Sequence, residues 1–181
     1  MDKQKRKILE SFSVIVDTRE QETNRAKKRY EMMNVPYCKA VLDYGDYTYN
    51  LALPDGPLFD TGERIRGKCV VERKQNLDEL AMCFTRSRDR FEREFQRAAD
   101  HGARIYLLTE NASLDMIFMG QYRSRFSPKA FLSSLMAWSV RYNMVPVFCD
   151  MARSGHIIRE ILYRDALERL EGGEFEQAEM D

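Results

Sequence analysis

The chain has 181 residues, 44% of them hydrophobic, which suits one compact domain of about 100–200 residues and excludes a long multidomain machine. Its 29 Lys and Arg cancel its 29 Asp and Glu, so any attraction to a polyanion has to come from how the charges are placed. From Asp165 onward seven acids stand against Arg169 alone, which leaves 28 basic and 22 acidic residues before them: a mildly basic body and an acidic tail.

A charged arm over residues 1–11 leads into Phe12–Val16, an apolar run stopped by Asp17 and read as a first, buried strand. Asn24 is placed to cap a helix over Arg25–Met33, and Val35-Pro36 imposes extended backbone before a second strand over Tyr37–Leu42. Asp43-Tyr44-Gly45-Asp46 has turn composition, and Tyr47–Leu53 reads as a third strand, so the two are expected to form a hairpin. Pro54, Gly56, Pro57, Gly62 and Gly67 mark 54–67 as a loop ahead of a fourth strand over Lys68–Glu72. A helical stretch follows over Asn76–Ala99, broken or bent near Ser87, and then a strand over Arg104–Thr109. Ser127-Pro128 supplies an N-cap and a first-turn proline for a helix to Tyr142, Val145–Cys149 is the last strand, and Ser154–Leu170 is an amphipathic helix. Residues 171–181 form an acidic tail expected to be mobile. The pattern implies an α/β fold with a mixed central sheet and helices on both faces.

The four cysteines (Cys38, Cys69, Cys83, Cys149) show no C-x-x-C spacing and no histidine stands at ligand spacing, so neither zinc nor a disulfide framework is indicated. No run reaches the roughly 18 apolar residues of a membrane span and no secretory signal pattern is present; a soluble, intracellular protein without a membrane partner is expected. The absence of a Gly-x-x-x-x-Gly-Lys-Ser/Thr loop means that ATP is not implied.

The most informative stretch is Val70-Val71-Glu72-Arg73-Lys74. Side chains alternate along a strand, so Glu72 and Lys74 share one face and Arg73 points to the other. A hard cation such as Mg²⁺ takes one or two carboxylates together with waters and phosphate oxygens. Glu72 and Asp46 supply those carboxylates if the third and fourth strands pair, while Lys74 holds the attacking water or steadies charge on phosphorus oxygens. Asp17 and Glu20 would complete an acidic pocket from the first strand, either as further ligands or through metal-bound water, and Asp78 would position a water or Lys74. These are the parts for phosphodiester hydrolysis.

Gly45-Asp46, then Glu72-Arg73-Lys74-Gln75-Asn76-Leu77-Asp78, with Val14-Ile15-Val16-Asp17-Thr18-Arg19-Glu20 upstream, resembles the XPF-type structure-specific endonucleases, a branch of the PD-(D/E)XK restriction-endonuclease-like superfamily. The likeness extends over residues 12–170, which would be the nuclease domain. It implies Mg²⁺ or Mn²⁺ held by Asp46 and Glu72 with the Arg73 main-chain carbonyl nearby, Lys74 as catalytic lysine, and Asp17, Glu20 and Asp78 as supporting acids. It implies DNA as partner, branched or at a single-strand/double-strand junction, in repair or recombination, with a homodimer or a partner subunit as the assembly. The 25 residues between Asp46 and Glu72 are many for the family, and they place loop 54–67 beside the expected site. No tandem helix-hairpin-helix module is read within these 181 residues, although many members of that family carry one. A catalytically silent DNA-binding or scaffold partner of an active nuclease, and a Holliday-junction resolvase or restriction-like nuclease, remain as alternatives.

Arg86, Arg90, Arg93 and Arg97, spaced 4, 3 and 4, would form one stripe on a continuous helix, either gripping phosphates or forming a solvent-exposed face balanced by Asp89, Glu92 and Glu94. Lys27-Lys28-Arg29 and Arg123, Arg125 and Lys129 are weaker candidates of the same kind. No motif reads bases, so DNA shape is the expected determinant.

Overall fold

The computed structural model of the protein describes residues 2–175; the last six residues of the acidic tail, expected to be mobile, lie outside the described residues. The charged segment 1–11, for which the sequence indicates no element, contains helix α1 (Lys3–Glu10), capped by Asp2, which accepts from Lys5 N at 2.8 Å. Its Ile8 and Leu9 join the main core. Strand β1 (Ser13–Asp17), helix α2 (Asn24–Met33) and strands β2 (Tyr37–Ala40) and β3 (Tyr47–Asn50) follow. The cap of α2 is Thr23, whose hydroxyl accepts from Ala26 N, and the expected cap Asn24 is the first helical residue. Short strands β4 (Ala52–Leu53) and β5 (Gly56–Pro57) form a separate ribbon, which ends the expected third strand at Asn50. Strand β6 (Cys69–Lys74), helices α3 (Leu77–Phe84) and α4 (Arg88–Asp100), strand β7 (Arg104–Glu110), helices α5 (Leu114–Phe118) and α6 (Pro128–Arg141), strand β8 (Met144–Cys149) and helix α7 (Ser154–Glu171) complete the chain. No helix among the described residues is long and apolar enough to cross a membrane.

The six-stranded sheet has the order β2-β1-β3-β6-β7-β8, mixed in direction. The expected hairpin of the second and third strands does not form, because β1 lies between them, parallel to β2 and antiparallel to β3. The reason is burial: Val14, Ile15 and Val16 are fully enclosed, and a strand apolar on both faces needs a neighbour on each edge as well. The 41–46 segment crosses the end of β1, tied there by Thr18 N to Ala40 O at 3.0 Å and Asp17 N to Asp46 O at 2.8 Å.

One sheet face packs against α1, α2 and α7, with Val14, Val16, Tyr47, Val71 and Leu108 meeting Ile158, Leu162 and Leu170. Each of those three α7 side chains contributes roughly 1.5–3 kcal/mol by leaving water. Gly155 allows α7 to close on α2, since a Cβ there would stand 2.3 Å from the Arg29 carbonyl oxygen. The other face packs Val70, Ile105 and Leu107 against α3, α4 and α6 through Leu80, Phe84, Phe91, Phe95 and Trp138. Helices therefore cover both faces, as the sequence implies. Loop 54–67 divides its length. Residues 54–58 lie against α1 and the end of α7, while Ile65 pairs with Leu42 at the sheet edge and Arg64 and Arg66 reach Asp43.

Candidate active site

The site grows from one register. Strand β3 runs antiparallel to β6 with Tyr47 opposite Val71, so Asp46, one residue earlier, stands opposite Glu72. Two hydrogen bonds hold it there: Asp46 N donates to Val71 O at 2.9 Å, and Arg73 N donates to Asp46 Oδ2 at 2.8 Å. Gly45 makes the approach possible. Its φ of +74° is a left-handed conformation, and a Cβ would lie 2.9 Å from Val70 Cβ. Tyr47 and Val71 belong to the α2/α7 face, so alternation sends Asp46, Glu72 and Lys74 to the opposite face, toward α3 and α4.

On that face Glu72 and Lys74 are 5% and 8% exposed and form an ion pair, and the Lys74 ammonium sits 5.0 Å from the centre of the Phe91 ring. Burial, reinforced by Glu72, lifts the Asp46 carboxyl well above the usual carboxylate range; burial lifts Glu72 as well, against the pull of Lys74. Burial works against the Lys74 charge, but the attraction of Glu72 and Asp46 outweighs it and holds the ammonium protonated. The neighbouring Cys83 thiol is pushed up to about 11 by burial and stays neutral. Among the described residues Asp46 Oδ1 and Glu72 Oε2 accept no hydrogen bond, which leaves each carboxylate one oxygen for another ligand.

Asp17 is fully buried beside Asp46, and both its oxygens are occupied. Oδ1 accepts from Arg19 N and Nε, each at 2.7 Å, and Oδ2 accepts from Leu42 N at 2.8 Å and an Arg19 terminal nitrogen at 3.1 Å. Its role in this geometry is to anchor the 41–46 turn. Glu20 lies on the opposite face, where it accepts from the Tyr47 hydroxyl at 3.0 Å and stands 3.7 Å from Arg73. Asp78 is turned toward the loop before α6, accepting from Arg123 N at 2.6 Å and Arg123 Nε at 3.1 Å, and no hydrogen bond joins it to Lys74.

The Arg73 face carries a buried network. Arg29 is 3% exposed and donates to Glu110 Oε1 and to the Tyr47 hydroxyl, both at 3.1 Å; Glu110, 1% exposed, also accepts from Arg73 at 3.2 Å. This network fixes the end of β6 from behind. Arg29, read with Lys27 and Lys28 as a surface cation, is thus an interior residue.

Sequence reasoning passed over three residues here. Glu94 accepts from Gly45 N at 3.0 Å and lies 4.0 Å from Arg19. Its signal was available, since Glu94 stands three residues after Phe91 and one before Phe95 on the buried stripe of α4. Glu110 ends an apolar strand and gave no sign beyond that. Thr109 faces Lys74 across the β6–β7 register, fully buried, its hydroxyl without a hydrogen-bond partner.

The arginine stripe is shorter than expected. The helix breaks at Thr85–Ser87, so Arg86 lies in the connection between α3 and α4. Arg90 and Arg93 are exposed on α4 with no ion pair among the described residues, whereas Arg97 donates to Asp43 O at 3.0 Å and supports the turn before Asp46. No group of three or more His, Cys, Asp or Glu among the described residues forms a ready cage for a metal.

Comparison with curated protein sequences gives no match. Among solved structures, XPF from Aeropyrum pernix superposes with a TM-score of 0.58 at 19% identity, over 84% of this chain and 61% of that one. XPF from Aeropyrum pernix in complex with DNA gives 0.58 and 19%, over 87% and 66%. This chain thus spans less than two thirds of the length of either, and at such identity the likeness establishes the shared α/β fold. The model of the ERCC4 domain matches residues 16–159, from the end of β1 into α7, and takes in Asp17, Asp46, Glu72, Arg73, Lys74 and Asp78. In agreement with the motifs first read as XPF-like, the chain belongs to the ERCC4 domain family.

Proposed function

We propose that this chain is a divalent-metal-dependent endonuclease that hydrolyses DNA phosphodiesters, with branched, flap or fork DNA as its substrate. The observation that carries the reading is the placement of Asp46, Glu72 and Lys74 on one sheet face, with a free oxygen on each carboxylate. A buried Glu72 and a half-buried Asp46, both with raised pKa values, are an excess of negative charge that a cation relieves, and a donor set of two carboxylates suits Mg²⁺ or Mn²⁺, which keep several waters and take substrate oxygens. Asp46 and Glu72 would hold the ion, beside the Arg73 main-chain carbonyl. Bound there, it would supply Lewis-acid polarisation of the phosphoryl group and of the attacking water. Lys74, kept charged by its neighbours, is suited to hold the water oxygen or steady charge on the phosphoryl oxygens, and not to accept a proton. Asp17, Glu20 and Arg73 act through position, fixing the turn and the strand end.

A second reading has its own observation. Glu72 is closed onto Lys74 and no preformed three-ligand cage exists among the described residues, as a DNA-binding partner that does not cut would show. One assay separates the two: labelled linear, flap, fork and four-way DNA, with Mg²⁺, Mn²⁺ or chelator, for the wild type and Asp46→Asn. Metal-dependent cleavage lost in the variant upholds the endonuclease. Binding without cleavage under every cation upholds the silent partner, and cleavage confined to four-way DNA moves the assignment to a junction resolvase.

A further inference from the structure

A groove of about 830 Å³ opens between the α3–α4 connection and the segment that precedes α6, lined by Asp78, Met82, Arg86, Arg123, Arg125 and Phe126 among others. We propose that it holds the phosphates of one DNA strand beside the active site. The choice of ligand rests on the nuclease reading above; the groove itself is a separate surface.

Charge is the first argument. Three guanidiniums share the groove with the carboxylate of Asp78 alone, and that carboxylate is engaged by the Arg123 and Ser124 amides and by Arg123 Nε. Arg86 and Arg125 are exposed and have no ion pair among the described residues, so their forks are open to a phosphate oxygen. The next arginine along the chain, Arg88, is held by Glu92 on α4 and is not available in this way.

Construction is the second. Asp78 lies four residues after Lys74, in the first turn of α3, whose cap Asn76 accepts from Glu79 N at 2.9 Å. The aspartate therefore links the catalytic strand to the groove wall: through two amides and one guanidinium it sets where Arg123 stands. This gives the last residue of the Glu-Arg-Lys-x-x-x-Asp run a use that does not require contact with Lys74. Met82, half exposed at 48%, and Phe126 add an apolar lip suited to sugar and base faces.

The test reads binding without cleavage. Fluorescent single-stranded and duplex oligonucleotides of one sequence are titrated in chelator over a range of salt with the wild type, Arg86→Gln/Arg125→Gln, and Arg6→Gln on distant α1, each first shown to melt like the wild type. Loss of two phosphate contacts lowers the slope of log K against log salt by about 1.4 for a single strand or about 1.8 for duplex, and the arm that shows the drop identifies the form held. Arg6→Gln keeps the wild-type slope. A double variant with the wild-type slope in both arms overturns the groove, as does a wild type that binds neither oligonucleotide. A wild type that binds with the expected slopes in chelator yet cuts none of the labelled DNAs when Mg²⁺ or Mn²⁺ is supplied overturns the endonuclease and leaves the groove standing.

Discussion

Replacing Arg29 by methionine removes the guanidinium behind β6 and keeps much of the side-chain length. The change deletes hydrogen bonds to Glu110 Oε1 and the Tyr47 hydroxyl, both 3.1 Å, and a 3.6 Å ion contact with Glu20. Removing one partner of a buried pair costs about 3–5 kcal/mol, because the other charge stays behind uncompensated. Glu110 keeps Arg73 at 3.2 Å, and Tyr47 can still donate to Glu20, so the lower end applies, about 3 kcal/mol. At about 2–4 °C per kcal/mol for a chain of this size, Tm should fall by roughly 6–12 °C. Denaturant and thermal unfolding in chelator read the loss, and it should persist at 1 M salt, where surface pairs are screened within about 3 Å. Adding Glu110→Gln should restore part of the stability, since the uncompensated charge is then gone. A loss below about 1 kcal/mol, or a double variant no more stable than the two singles predict by addition, would refute the account of a buried, mutually dependent network.

Asp46→Asn should make the protein more stable at pH 7 in chelator, by about 0.5–2 kcal/mol, while abolishing metal-dependent cleavage. The Asp46 carboxyl is raised in the folded state, so the folded chain retains a proton that the unfolded chain releases; stability drops as pH climbs past the unfolded value near 4, and the advantage of the variant should vanish on acidification below it. An unfolding midpoint lower than that of the wild type at pH 7 would contradict this. Gly45→Ala places a Cβ 2.9 Å from Val70 Cβ at a φ of +74° and should cost about 2–4 kcal/mol, together with displacement of Asp46; a melt within 2 °C of the wild type, by the same thermal scaling, speaks against the tight approach. Thr109→Val removes a buried hydroxyl without a partner and should raise stability by about 1–3 kcal/mol, so a destabilised variant would show that a bound water or another group uses that hydroxyl.

The strands that were legible are short apolar runs ended by polar turns, as Val14–Val16 and Cys69–Val71 show, and the break expected near Ser87 lies between α3 and α4. Helix α1 was hidden by its charge: a lone Ile8-Leu9 pair among lysines reads as an arm until α7 is there to receive it. The partnership of β2 and β3 was misread because turn composition at 43–46 is the same whether the chain folds back beside a strand or crosses over one. Arg29 was misread for a related reason. Its neighbours Lys27 and Lys28 are surface lysines, and its guanidinium turns inward because α2 packs on the sheet face where Glu110 and Tyr47 receive it.

Alternation along a strand is a local rule, so residues 69–74 suffice to show that Glu72 and Lys74 share a face and that Arg73 leaves it. Pairing is a long-range property. The β3–β6 register joins residues separated by 25 others and sets Asp46 opposite Glu72, while other long-range contacts hold Glu20 at the Tyr47 hydroxyl on the far face and Asp78 at Arg123. Side chains can be assigned to a face from spacing, but which charges meet across strands depends on how the buried β1 is enclosed and on which helices close over the sheet, and the free energy that decides both comes from the packed core as a whole.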